Sequence, residues 1–254
     1  MGHQFRPSRP SAASWQVVTD SLQQRDSPER LLIAMESLLS DGLDFAKNDE
    51  GFLSTFHVLA GVSHALEKEG SWGADLTQAL GAAALTSPGG VGAALGTALG
   101  DRHYDLGARS DIAELSRNAA IRTIVGLLRS PGTDADPVGE VREALPDRVA
   151  GSSAFGRVAK AFIAGFVDSY VARLLSRELP DHLGAGLRFA NLRERSEFVD
   201  GMRAHVESCC AGLETSAESW HASIAGGRPS TDESAQMAQA LLSTASARLW
   251  GKAP

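Results

Sequence analysis

Between Ser153 and Leu179, the residues Phe155, Ala159, Phe162, Ile163, Phe166 and Tyr170 recur at steps of mostly three and four positions. That period places a wide apolar stripe along one side of an α-helix and does not fit a strand, whose side chains change face at every residue. A stripe this wide has to be covered by other elements, so the segment is expected at the centre of the core. Phe52, Phe56, Leu59, Val62 and Leu66 repeat the pattern. No series of alternating apolar and polar runs appears, and β-branched residues are scattered, which leaves little material for a sheet. The expected fold class is therefore all-α, an irregular multi-helix bundle of roughly ten helices.

Start signals support this reading. Ser27-Pro28 and Asp136-Pro137 each supply an N-cap followed by a first-turn proline, and Asn191 with Glu194 and Ser230 with Glu233 have the spacing of a capping box. Helices are expected over 14–24, 28–40, 49–69, 72–86, 90–100, 110–129, 137–145, 153–179, 191–219 and 231–250. Connections rich in Gly, Pro or Asp fall at 41–48, 100–108, 130–136, 146–152, 180–186 and 225–229. None is long enough to read as an interdomain linker, so 14–254 is expected to be a single helical domain. No fixed-period repeat appears, which argues against a regular solenoid. Residues 1–13 carry Arg6, Pro7, Arg9 and Pro10 without apolar periodicity and read as a flexible, extended N-terminal tail.

Composition bounds the function. At 254 residues and 43% hydrophobic content, a chain buries roughly 70% of the surface it exposes when unfolded, and needs no disulfide or metal to hold its core. The net charge is −7, with 13 Lys and Arg against 20 Asp and Glu in residues 1–150 and 11 against 11 thereafter. Neither part has the basic excess that phosphate binding draws on, so no nucleic-acid partner is expected. The two cysteines, Cys209 and Cys210, are adjacent and could bridge only through a strained ring. They read as reduced thiols, and with no apolar leader at the N-terminus a cytoplasmic location is expected.

Several local patterns suggest chemistry and lack its complement. From Leu76 to Gly100 there is no charged residue, and Gly92, Gly96 and Gly100 repeat every fourth position. Such a face permits close helix packing; Ser87-Pro88-Gly89-Gly90 interrupts the stretch, so no membrane partner is expected. Gly89-Gly90-Val91-Gly92 lacks the Gly-Lys-Ser/Thr of a phosphate loop. Gly61-Val62-Ser63-His64-Ala65 resembles a nucleophile elbow but falls inside a helical apolar pattern. Glu214, Glu218 and His221 share one face without the second Glu-x-x-His that a di-metal bundle requires. His205 with Cys209, and His57 with His64, supply at most halves of a zinc site. No catalytic residue, metal site or cofactor is assigned.

The expected function is contact: a non-catalytic helical accessory or adaptor subunit of a larger bacterial-type assembly, with a protein partner. An Ala- and Gly-rich helical body behind a short Arg/Pro head resembles the layout of small helical accessory proteins of bacterial defence operons, without a diagnostic motif. Arg6, Arg9 and Trp15 are the expected docking residues, two planar cationic donors and an aromatic anchor. One alternative is an enzyme of a helical fold using Asp101-Arg102-His103 or Asp181-His182. Another is a membrane-acting effector using the Gly92, Gly96 and Gly100 face.

Overall fold

A computed structural model describes residues 12–67, 88–128, 154–224 and 229–252. Among the described residues the chain is all-helical, with ten α-helices and no strand. In order these are α1 (Ala12–Gln23), α2 (Pro28–Ala34), α3 (Glu36–Ala46), α4 (Glu50–Glu67), α5 (Pro88–Asp105), α6 (Asp111–Leu128), α7 (Ala154–Leu175), α8 (Leu192–Cys209), α9 (Leu213–Ser223) and α10 (Thr231–Leu249). A 3-10 turn at Leu179–His182 and an isolated bridge between Leu183 and Phe189 join α7 to α8. The expected helices 72–86 and 137–145, the Asp136-Pro137 start, and Arg6 and Arg9 lie outside the described residues.

Helix α7 packs against α4, α6, α8, α9 and α10, and Phe155, Ala159, Phe162, Ile163, Phe166 and Tyr170 are all buried. Phe162 lies within an aromatic group, with ring centroids 5.5 Å from Phe52, 6.1 Å from Phe56 and 6.5 Å from Phe166. The caps form as their side chains dictate. Ser27 accepts from the Arg30 amide, and Asn191 accepts from the Glu194 amide. Ser230 and Glu233 complete a reciprocal capping box.

Several boundaries differ from the sequence reading. The expected helix 28–40 breaks at Met35 (φ −80°, ψ 2°), whose buried side chain anchors the corner between α2 and α3. Helix α3 then runs through the connection expected at 41–48. Gly42 is no breaker there, because its missing Cβ makes room for the Tyr170 hydroxyl, which lies 1.7 Å from where that atom would stand. The expected helix 191–219 divides after Cys209: Cys210 caps α8, and Gly212, with a left-handed backbone (φ 82°), is the N-cap residue from which α9 starts. Helix α5 continues past Gly100 to Asp105, and α1 begins at Ala12, inside the expected tail.

Gly92, Gly96 and Gly100 lie along the side of α5 that faces α6. A Cβ at Gly92 would stand 2.6 Å from Val125 Cγ2, one at Gly96 3.0 Å from Ile121 Cδ1, and one at Gly100 3.4 Å from an Arg117 nitrogen. The face proposed for a membrane is thus occupied by another helix of the same chain. Among the described residues no helix is long and apolar enough to cross a membrane. Gly96→Leu is expected to destabilise by about 1–2 kcal/mol, since Ile121 has to yield. A melting temperature equal to or above that of the wild type would refute the packing.

Candidate functional site

Among the described residues two places concentrate polar chemistry, and the second has room for a ligand. The first is a buried junction where α4 and α6 begin. Asp49 Oδ1 accepts from the Phe52 amide (2.9 Å) and caps α4, while Ser110 Oγ accepts from the Ala113 amide (2.9 Å) and caps α6. The two caps join, Ser110 Oγ donating to Asp49 Oδ2 at 2.6 Å. His103, from α5, brings Nε2 within 3.1 Å of the Gly51 carbonyl and 3.0 Å of Thr55 Oγ1. A carbonyl can only accept, so Nε2 carries the proton. The Asp, Ser and His side chains here are engaged with backbone groups and with one another. The junction is a structural knot.

Burial lowers the His103 pKa below its ordinary value of 6.5; Arg117 and Arg102 act in the same direction, while the Gly51 hydrogen bond and Asp49 oppose it. The unfolded chain therefore binds this proton more readily than the folded one. The contribution of neutral His103 to stability is complete above the ordinary histidine value and is lost as the pH falls below it. Between about pH 7.5 and about pH 5.5, the wild type is expected to lose more melting temperature than His103→Gln, which does not titrate. Equal losses would show that His103 is not responsible.

The second place is a cleft of about 540 Å³ on the side of α7 opposite its phenylalanine stripe. Its uncharged lining is Leu127 from α6 with Ala161, Ala164 and Gly165 from α7, and these three α7 residues, its floor, are too small to fill the space between α6 and the pair α8 and α9. Charged residues form the rim: Arg122 from α6, Arg157, Lys160 and Asp168 from α7, Arg203 and Glu207 from α8, and Glu214 from α9. Lys160 approaches Glu214 at 3.8 Å. Arg203 approaches Asp168 at 3.4 Å and Asp200 at 3.3 Å. Arg122 reaches over the floor to the Ser169 hydroxyl and, at 3.5 Å, to the Gly165 carbonyl. The Arg157 side chain has no hydrogen bond or ion pair among the described residues. The sequence reading did not find this cleft: positions 157, 160, 161, 164, 165 and 168 recur at helical spacing on the back of the apolar stripe, which marks a second face of the helix and not what packs around it.

Most residues singled out from sequence lie elsewhere. Trp15 is half-buried and packs against the core from α1. Ser63 is an ordinary helical serine, buried in α4 and donating to the Leu59 carbonyl at 2.9 Å. His57 Nδ1 meets Ser234 Oγ at 3.0 Å, and the rings of His64 and His221 are 6.4 Å apart. His205 Nε2 lies 3.5 Å from Cys209 Sγ, and both cysteines are buried free thiols; burial raises Cys209 and pushes Cys210 up to about 12. Among the described residues, no group of three or more potential ligands could hold a metal ion. Asp101, Arg102 and His103 belong to helix α5 rather than a loop, and Asp181 and His182 to the 3-10 turn after α7. Comparison with known families, curated proteins and solved structures finds no match to this chain.

Proposed function

We propose that the chain acts by binding, as a helical accessory or adaptor subunit whose cleft along α7 receives a protein partner. The observation that carries this reading is the cleft's construction, an Ala/Gly floor open to approach beneath a rim of seven charged side chains. Small floor residues let a partner's backbone come close, and rim charges fix its register and raise its encounter rate. The enzyme alternative draws on Asp101, His103, Asp181 and His182, which sit in separate elements, and His103 is tied to Gly51 and Thr55. The membrane alternative draws on a glycine face that α6 covers.

The test is a photo-crosslinking amino acid placed at Ala164 in the cleft floor or at Tyr104, an exposed position at the end of α5, in the native cell. A partner captured from position 164 and not from 104 supports the cleft as the binding surface. Capture from 104 alone removes it. Deleting residues 1–11 in the same experiment tests the Arg6 and Arg9 docking arm, which fails if capture is unchanged at low salt.

A further inference from the structure

We infer that the occupant of the cleft is an acidic peptide segment of the partner, held through two carboxylates about two to three helical turns apart; this rests on the binding reading above. The chain as a whole carries a net charge of −7, yet the cleft rim holds four cations against three carboxylates. The rim thus reverses the sign of the molecule at the place where a ligand has room. Two of those carboxylates are already countered, Glu214 by Lys160 and Asp168 by Arg203. Among the described residues, two of the rim's guanidinium groups are not countered by a carboxylate. Arg157 has no partner among the described residues, and Arg122 is held only by the neutral Ser169 hydroxyl and Gly165 carbonyl.

Their placement sets the spacing of the occupant. Arg157 stands near the start of α7 and Arg122 is anchored between Gly165 and Ser169, eight to twelve residues further on. At 1.5 Å per residue that separation is about 12–18 Å along the helix. Two glutamates on one face of a helix, two to three turns apart, match it. The guanidinium fork pairs with a carboxylate through two parallel hydrogen bonds, which favours carboxylate over a neutral amide. The floor admits close approach, because a Cβ added at Gly165 would meet only Thr123 Oγ1, at 4.0 Å. Glu207, the remaining carboxylate of the rim, adds repulsion against a misplaced acidic side chain and so sharpens the register.

The experiment uses the full chain and fluorescein-labelled alanine-based helical peptides, read by anisotropy. Two carry glutamates two or three turns apart, and the others carry glutamine or lysine at the same positions or glutamates one turn apart. One of the two widely spaced glutamate peptides is expected to bind tightest, with affinity falling as salt is added. Arg157→Glu is expected to weaken it about tenfold, while Arg157→Lys retains part of the affinity. Arg157→Glu is preferred over Arg122→Glu, because Arg122 also bonds α7 and its loss could disturb the fold. Lysine or glutamine peptides binding as well as the glutamate peptide would overturn the inference and leave the cleft as a binding surface. No peptide binding while the crosslinker at position 164 captures a partner would overturn the inference alone. Failure of both would remove the binding reading as well. Self-association of the chain that Arg157→Glu abolishes would instead make the occupant a second copy and overturn the separate partner.

Discussion

Phe162→Ala is expected to lower stability by about 3–5 kcal/mol. The ring is fully buried and touches rings from two helices: Phe52 and Phe56 on α4 and Phe166 on its own helix. Its removal leaves a cavity at the crossing of α4 and α7, and the rings around it are too large to collapse into the space. Urea denaturation of the variant gives the value from the midpoint and slope. A midpoint equal to that of the wild type would mean that the aromatic group is not the centre of the core.

Gly51→Val is expected to cost about 3 kcal/mol or more, the upper end of what overpacking usually costs. A Cβ at this position would stand 2.3 Å from Ala113 Cβ and 2.8 Å from Ala113 Cα. The second atom is backbone, so no side-chain rotation relieves the clash, and α4 and α6 have to separate where Asp49 and Ser110 join them. Gly61→Ala on the same helix is the control. Nothing lies within 4 Å of its added Cβ, and alanine is the better helix former by up to about 1 kcal/mol, so that variant is expected to gain stability. A Gly51→Val protein that melts with the wild type would show that the two helices do not approach as described.

Which parts of this molecule were legible in the sequence follows from the range of the interactions involved. The apolar stripe of α7 and the caps at Ser27, Asn191 and Ser230 are local, set by residues three or four apart, and they read directly. Glycine was harder. Gly212 and Gly42 look alike in sequence, but one adopts a left-handed backbone in the turn that starts α9 and the other makes room for a tyrosine from a helix more than 100 residues away. The cleft was not legible for the same reason. Ala161, Ala164 and Gly165 read as an unremarkable solvent face until α6, α8 and α9 are placed around them. The pairing of Asp49 with Ser110 likewise joins two locally recognisable cap residues through a contact that only the packing of α4 on α6 creates.

Helix α10 bears on how the protein is made. It follows the other described helices in sequence, and it packs on α3, α4, α7, α8 and α9. Gln239 donates to the Lys47 carbonyl at 2.9 Å, Ser234 meets His57, and Lys252 pairs with Glu36. The early helices α3 and α4 therefore emerge from the ribosome long before the surface that covers them exists. Native closure of the core has to wait until α10 itself has been made. During that interval the apolar face of α4 is open to chaperones or to a partner made at the same time, and a chain stopped short of Thr231 never acquires its final cover.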